Sequence, residues 1–363
     1  MTPLQIVHYD ATVKLQTVHP APLPPHRSFG RHGSRTEFLQ RLWYGCLMGG
    51  AGLALACLPL RAHANQITGL SNPHSFLADP SGDQYFISNI NGDSEAKDNN
   101  GFITKLDHSG NIAALKFIQG GTGDSALHAP KGIALVGETL YVADLDTLKA
   151  FDKKTGRHLL SVPLAAFAQN GRTVSLVDVA HDGGANLYLS DMEANTIYRI
   201  DISKQHAVSI FVRDHSLAGP RGLVVHPKTG HLIVASWHTG KIFEITPEGR
   251  ISELVSNGFF SKRFSNLDGL DFDSYGNLYV ADLTAGKVWR MLPNHRFDVI
   301  AEFLHSPADI AVDRRNHLIL VPYEYGNAAE MNGLEAPASA GAKKKRDLSD
   351  YGLGWMKKGT EQK

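Results

Sequence analysis

Four aspartates fall within fifteen residues of the stretch NLDGLDFDSYGNLYVADL (266–283): Asp268, Asp271, Asp273 and Asp282. Carboxylates at that density are what a cation site requires. Asp271, Asp273, Gly276 and Asp282 even take the first, third, sixth and twelfth positions of a calcium-hand loop. The same residue types are also the turn chemistry of a β-hairpin. The two readings separate on whether the stretch is unique in the chain.

It is not unique. An apolar run, a Gly/Asp/Asn/Pro-rich turn and a second apolar run recur as SFLADPSGDQYFISNI (75–90), GIALVGETLYVADL (132–145), DVAHDGGANLYLSDM (178–192), RGLVVHPKTGHLIVASW (221–237), DGLDFDSYGNLYVADL (268–283) and ADIAVDRRNHLILVPY (308–323). Each reads as a β-hairpin by its punctuation and β-branched content. A third strand follows in most units (GFITKLD, TIYRID, KIFEIT, KVWRML), and a fourth is suggested by NIAALKFI, AVSIFV, RISELV and FDVIAEF. Aligning the first strands puts His74, Lys131, Val177, Arg221, Asp268 and Ala308 in one column, at intervals of 57, 46, 44, 47 and 40 residues. That spacing predicts an all-β chain, a six-bladed β-propeller with four-stranded blades. The sixth unit lacks a clear fourth strand. NQITGLS (65–71), the expected mature N-terminus, is predicted to supply it, closing the ring and removing an exposed sheet edge.

The repeat explains most of the aspartates. Asp271 and Asp273 fall in the recurring hairpin turn. Asp282 matches Asp144 and Asp191 at the end of the second strand, where a carboxylate serves loop backbone. The calcium-hand reading fails, because its loop belongs between helices. Asp268 stands apart, since its column differs in every blade.

Lys and Arg together equal Asp and Glu, 36 of each, so no global field draws the chain to nucleic acid or to an anionic membrane. Residues 42–60 form an uncharged apolar run preceded by Arg31, Arg35 and Arg41 and followed by Ala62-His63-Ala64, the small-x-small pattern of a signal-peptidase site. We therefore expect an N-terminal extension and signal peptide over 1–64, a propeller over 65–332 and a disordered tail over 333–363. The setting is periplasmic or secreted, with no stable membrane insertion once the leader is cleaved. The alternative is an anchor by the uncleaved segment. Cys46 and Cys57 both lie in the leader, so the mature chain has no thiol, and a metal site must use His, carboxylate or carbonyl ligands. There is no GxSxG and no HExxH, and GGTGDS (120–125) lacks the Lys-Ser/Thr of a phosphate loop. NINGDSEAKDNNG (89–101) is the longest loop inside a blade, a surface loop or a lid over the mouth.

SNINGDSEAKDNNGFITKL (88–106), APKGIA (129–134), LYVADLD (140–146), NLDGL (266–270), AGKVWR (285–290) and ADIAVD (308–313) together span the mature domain. Through them the chain resembles the gluconolactonase/regucalcin (senescence marker protein) superfamily of six-bladed propellers, especially exported bacterial members, and more loosely NHL-repeat proteins. The resemblance implies a divalent cation at one mouth of the channel, held by a Glu, an Asn and an Asp and acting as a Lewis acid on a lactone or ester. Carried over, the Asp matches Asp268, the Glu falls on His74 and the Asn on Arg221. A second Asn falls on Val177, and the Asp beside it is Asp178. His74 suits Zn²⁺ or Mn²⁺ better than Ca²⁺. Arg221 opposes any dication: a guanidinium about 4 Å from even a unit positive charge costs roughly 4 kcal/mol at an effective dielectric near 20.

On one rim, Arg221 and Lys131 offer a carboxylate or phosphate site, while His74 is expected to serve as an acid or base near neutral pH. Two functions follow. In the first, the metal site is degraded and the mouth binds a small anionic ligand, or the loop face a protein partner. In the second, the chain is a metal-dependent lactonase or esterase. There His74 and Asp268 are catalytic residues and metal ligands, and Lys131, Asp178 and Arg221 bind substrate. The cofactor is accordingly one divalent cation or none, and whether the chain is an enzyme stays open. A third reading is an ion-pair network that merely plugs the channel.

Overall fold

β-Branched and aromatic runs form strands, and Gly, Asp and Asn break them, throughout the residues that the structure, a computed structural model, describes: 65–168, 171–257 and 263–334. The leader and nearly all of the tail lie outside them. Blade 1 comprises Pro73–Ala78, Gln84–Asn89, Phe102–Asp107 and Ile112–Gln119. Blade 2 comprises Pro130–Val136, Thr139–Asp144, Thr147–Asp152 and His158–Pro163. Blade 3 has Leu176–His181, Asn186–Asp191, Thr196–Asp201 and Ala207–Arg213. Blade 4 has Pro220–Val225, Leu232–Ser236, Ile242–Ile245 and Ile251–Val255. Blade 5 has Leu267–Phe272, Leu278–Asp282, Lys287–Met291 and Phe297–Glu302. In blade 6, Ala311–Asp313, Leu318–Tyr323 and Ala328–Gly333 are followed outward by Asn65–Thr68, with Ile67 opposite Ala329. The first strands touch one another in cyclic order, so six antiparallel sheets ring a central channel.

The cores lie between blades. Leu187 and Leu189 of blade 3 pack against Ala143 and Leu148 of blade 2, and Ile87 and Leu106 of blade 1 against Leu320 and Ala329 of blade 6. Burial on both faces explains why the strands read as continuous apolar runs, and each such Leu or Ile stabilises by about 1.5–3 kcal/mol. The outer strands of blade 2, Thr147–Asp152 and His158–Pro163, are not among the runs read from the sequence: Lys149 interrupts the first, and His158, Ser161 and Pro163 leave the second with a short apolar run.

The recurring turns are built by aspartate. Asp273 accepts from the backbone amides of Tyr275 (2.8 Å) and Asn277 (2.9 Å), and Asp79, Asp182 and Asp313 hold their own turns likewise. Asp271 departs from the expectation: it lies in the first strand of blade 5. Its carboxylate accepts from the Val312 amide of blade 6 (2.8 Å) and pairs with Arg314.

Candidate functional site

The first strands of blades 1–5 each open with an irregularity in the ladder, as between Pro130 and Ile133 or Pro220 and Leu223. Buried serines from the second strands of blades 1 and 3 hydrogen-bond backbone groups there. Ser88 accepts from the Ser75 amide (2.9 Å) and donates to the Lys131 carbonyl (2.6 Å). Ser190 does the same between Asp178 (3.0 Å) and Arg221 (2.6 Å). Lys131 and Arg221 are therefore fixed by backbone bonds from the preceding blade. The glycine after Arg221 allows the next blade to close in: a Cβ on Gly222 would collide with the Asp268 carbonyl oxygen.

Arg221 points into a buried cluster. Its Nε donates to Asp268 Oδ1 at 2.8 Å, and one terminal nitrogen lies 3.3 Å from His74 Nε2 and 3.6 Å from Glu324 Oε2. The guanidinium stacks 4.1 Å above the Trp237 ring centre, a cation–π contact that holds its plane. Burial, then the charges of Arg221 and Lys131, push the His74 pKa well below its ordinary value, so the imidazole is neutral. Arginine only donates, so His74 Nε2 accepts and the proton sits on Nδ1. Burial raises both Asp268 and Glu324, with Arg221 working against it in each case.

Three buried polar atoms here have no hydrogen-bond partner among the described residues: His74 Nδ1, Asp268 Oδ2 and Glu324 Oε2. These three residues can also bring one ligand atom each to within 4.8 Å of one another. Lys131 is buried beside them and pairs at 3.1 Å with Glu95, whose side chain is 59% exposed and reaches in from the long blade 1 loop.

Of the five predicted rim residues, His74, Arg221 and Asp268 come together, with Lys131 alongside. Asp178 does not join them. Its two oxygens accept from the Val179 and Leu223 amides, both at 2.7 Å, and so tie blade 3 to blade 4. Burial pushes its pKa up to about 7. Glu324 and Glu95 were not foreseen as members of the cluster. Glu324 had a signal: its counterparts after the second strand are Ile90, Leu145, Met192, Trp237 and Leu283, so it is the one charge in an apolar column.

The chain is a six-bladed β-propeller with its candidate site at one mouth of the channel. A scan of the sequence against protein families finds no match, and a search of curated proteins finds none either. Solved structures share the fold. A Bacteroides thetaiotaomicron protein of unknown function superposes with a TM-score of 0.55 at 13% identity, over 73% of this chain and 70% of that one. Virginiamycin B lyase from Staphylococcus aureus gives 0.53 at 12% identity, over 75% and 99%. A catalytically inactive histidine-to-alanine variant of that lyase with quinupristin gives 0.52 at 15%, over 76% and 98%.

Proposed function

We propose that the channel mouth binds a small carboxylate- or phosphate-bearing molecule, in an exported propeller akin to the gluconolactonase/regucalcin superfamily but with its metal ligands replaced. The observation that carries this reading is the three unpartnered buried atoms around an inward-pointing guanidinium. Each such atom costs about 1–3 kcal/mol while unsatisfied. A ligand whose oxygens both donate and accept relieves that cost. Arg221 and Lys131 meet its charge, the exposed Glu95 being displaced from Lys131. Thermal unfolding of the full chain with inorganic phosphate and with gluconate tests this. Ligand at about a hundred times its Kd stabilises by about 2.7 kcal/mol, and Lys131→Gln should remove the gain. No shift with either anion sinks the proposal.

A second reading is favoured by the neutral His74 beside Arg221. The Nδ1–H and the guanidinium could together stabilise negative charge on a carbonyl oxygen during cleavage of a lactone or ester, and the structural neighbours include lyases. Zn²⁺ or Mn²⁺ on His74, Asp268 and Glu324 does not fit with Arg221 in place, since the guanidinium sits 2.8 Å from Asp268 and 3.6 Å from Glu324. Nor is His74 free as a base while its Nε2 accepts from Arg221. Ester or lactone turnover that Arg221→Lys abolishes would support this reading. No turnover across both classes would remove it.

A further inference from the structure

We infer that the ligand of this mouth carries an aromatic or bulky apolar body, seated on a ledge formed by Phe303 and Tyr325. The inference rests on the anion site proposed above and extends it outward. Phe303 is 93% exposed and has a φ of +61°, a left-handed conformation uncommon for a bulky residue. Such outliers persist where the surroundings impose them. Here the Leu304 amide is bonded to the Gly286 carbonyl (3.0 Å), and the Ser306 carbonyl accepts from the Glu324 amide (3.1 Å). The segment is pinned at both ends and presents the ring to solvent. Beside it stands Tyr325, 61% exposed. Both line a cavity of about 440 Å³ with Leu283, Thr284, Leu304 and Ser306, within the ~300–1,000 Å³ of small-molecule sites.

The cavity borders the charged cluster through Tyr325. Tyr325 follows Glu324, whose carboxylate raises the phenol pKa, helped by partial burial, while Arg221 lowers it. On the other wall, Thr284 donates to Asn266 Oδ1 (2.8 Å), and Asn266 donates to the carbonyl of Trp237 (3.0 Å), whose ring underlies the Arg221 guanidinium. A ring on the ledge thus lies next to a cation that is 13% exposed, open to a narrow group such as a carboxylate and closed to a protein surface. Aromatic faces, a free cavity and buried cations together select an aryl-bearing acid.

Calorimetry of the full chain with phenylbutyrate and with butyrate decides the matter. Ring contacts beyond area burial, added to the burial itself, should make phenylbutyrate bind about tenfold tighter than butyrate. Phe303→Ser, at a solvent-facing side chain, should erase that preference and leave butyrate binding as it was. If the two acids bind equally in the wild type, or if the preference survives in Phe303→Ser, the ledge is overturned. Butyrate binding lost in Lys131→Gln would then leave the anion site standing by itself. If neither acid binds, the ledge falls, while the anion site is decided by the phosphate and gluconate test.

Discussion

Two sets of buried carboxylates sit in or just after the inner two strands of the blades and lead opposite lives. Asp144, Asp191 and Asp282 close the second strands and are fully buried. Each is saturated by its surroundings: Asp282 accepts from the amides of Ser265, Asn266 and Ala285, Asp144 from His128 and Ala129, and Asp191 from Ser175, Ala194 and the Tyr198 hydroxyl. Asp268 and Glu324 are also buried, yet each keeps an oxygen with no hydrogen bond and leans on Arg221. Carboxylates whose oxygens are filled by backbone amides belong to the architecture. A buried carboxylate with spare capacity, beside a cation and a neutral imidazole, is held ready for something else.

The comparison breaks most readily at Arg221. Arg221→Met leaves Asp268 and Glu324 buried without their paired cation, the more distant Lys131 remaining, a change that costs about 3–5 kcal/mol. The cost should depend on pH. Burial already holds both carboxyls above 3.8 and 4.5. Without Arg221 they rise further, so the folded state keeps protons that the unfolded chain releases. Stability then falls as pH rises above about 4, and urea unfolding should show a larger loss at pH 7 than at pH 5. An equal loss at both would mean that these carboxyls do not answer to Arg221.

Asp282→Ala probes the other set. Three amides lose their acceptor, and at about 1–3 kcal/mol for each one that water cannot reach, a loss near 2–3 kcal/mol is expected. Phosphate and butyrate affinities should not change. A variant with intact stability but altered ligand affinity would reverse the roles given to the two sets.

The ring and its period were legible because blades repeat their punctuation, and a period survives local noise. Asp282 was legible for the same reason, through Asp144 and Asp191. Asp271 was assigned to the turn because its neighbour Asp273 is there, whereas a small difference in strand position sends it to the next blade. Asp178 enters the expected rim as the neighbour of the column residue Val177, but adjacent residues at the irregular start of the strand differ in where they face. Glu324 could have been found by asking which charge breaks an apolar column. Glu95 could not, since its reach to Lys131 depends on the path of a loop with no counterpart in other blades.

The finest test lies deeper in the channel, between Asp178 and Asp309. Burial, and then the Asp178 carboxylate, hold Asp309 well above its ordinary value. It is therefore protonated in the fold at pH values where the unfolded chain has lost that proton, and it draws stability down as pH rises above about 4. An asparagine side chain cannot be charged and has the shape of the protonated acid, so Asp309→Asn should change stability by under about 1 kcal/mol at pH 4. As pH rises from there the variant should overtake the wild type, by a margin that widens towards pH 7 and beyond. His74 works the other way, being neutral in the fold and protonated in the unfolded chain below 6.5, and so costing stability as the medium is acidified. His74 remains in the variant, so its contribution cancels in the difference between variant and wild type, which reports Asp309 together with the Asp178 carboxyl that it is coupled to. Asp178→Asn is the contrasting change. It turns an NH₂ towards one of two amides that now meet oxygens 2.7 Å away, and should lose stability at every pH. A variant at Asp309 that is no better than the wild type at pH 9 would mean that its carboxyl ionises in the fold as it does in water, and that the channel wall, like the mouth, keeps a charge in reserve.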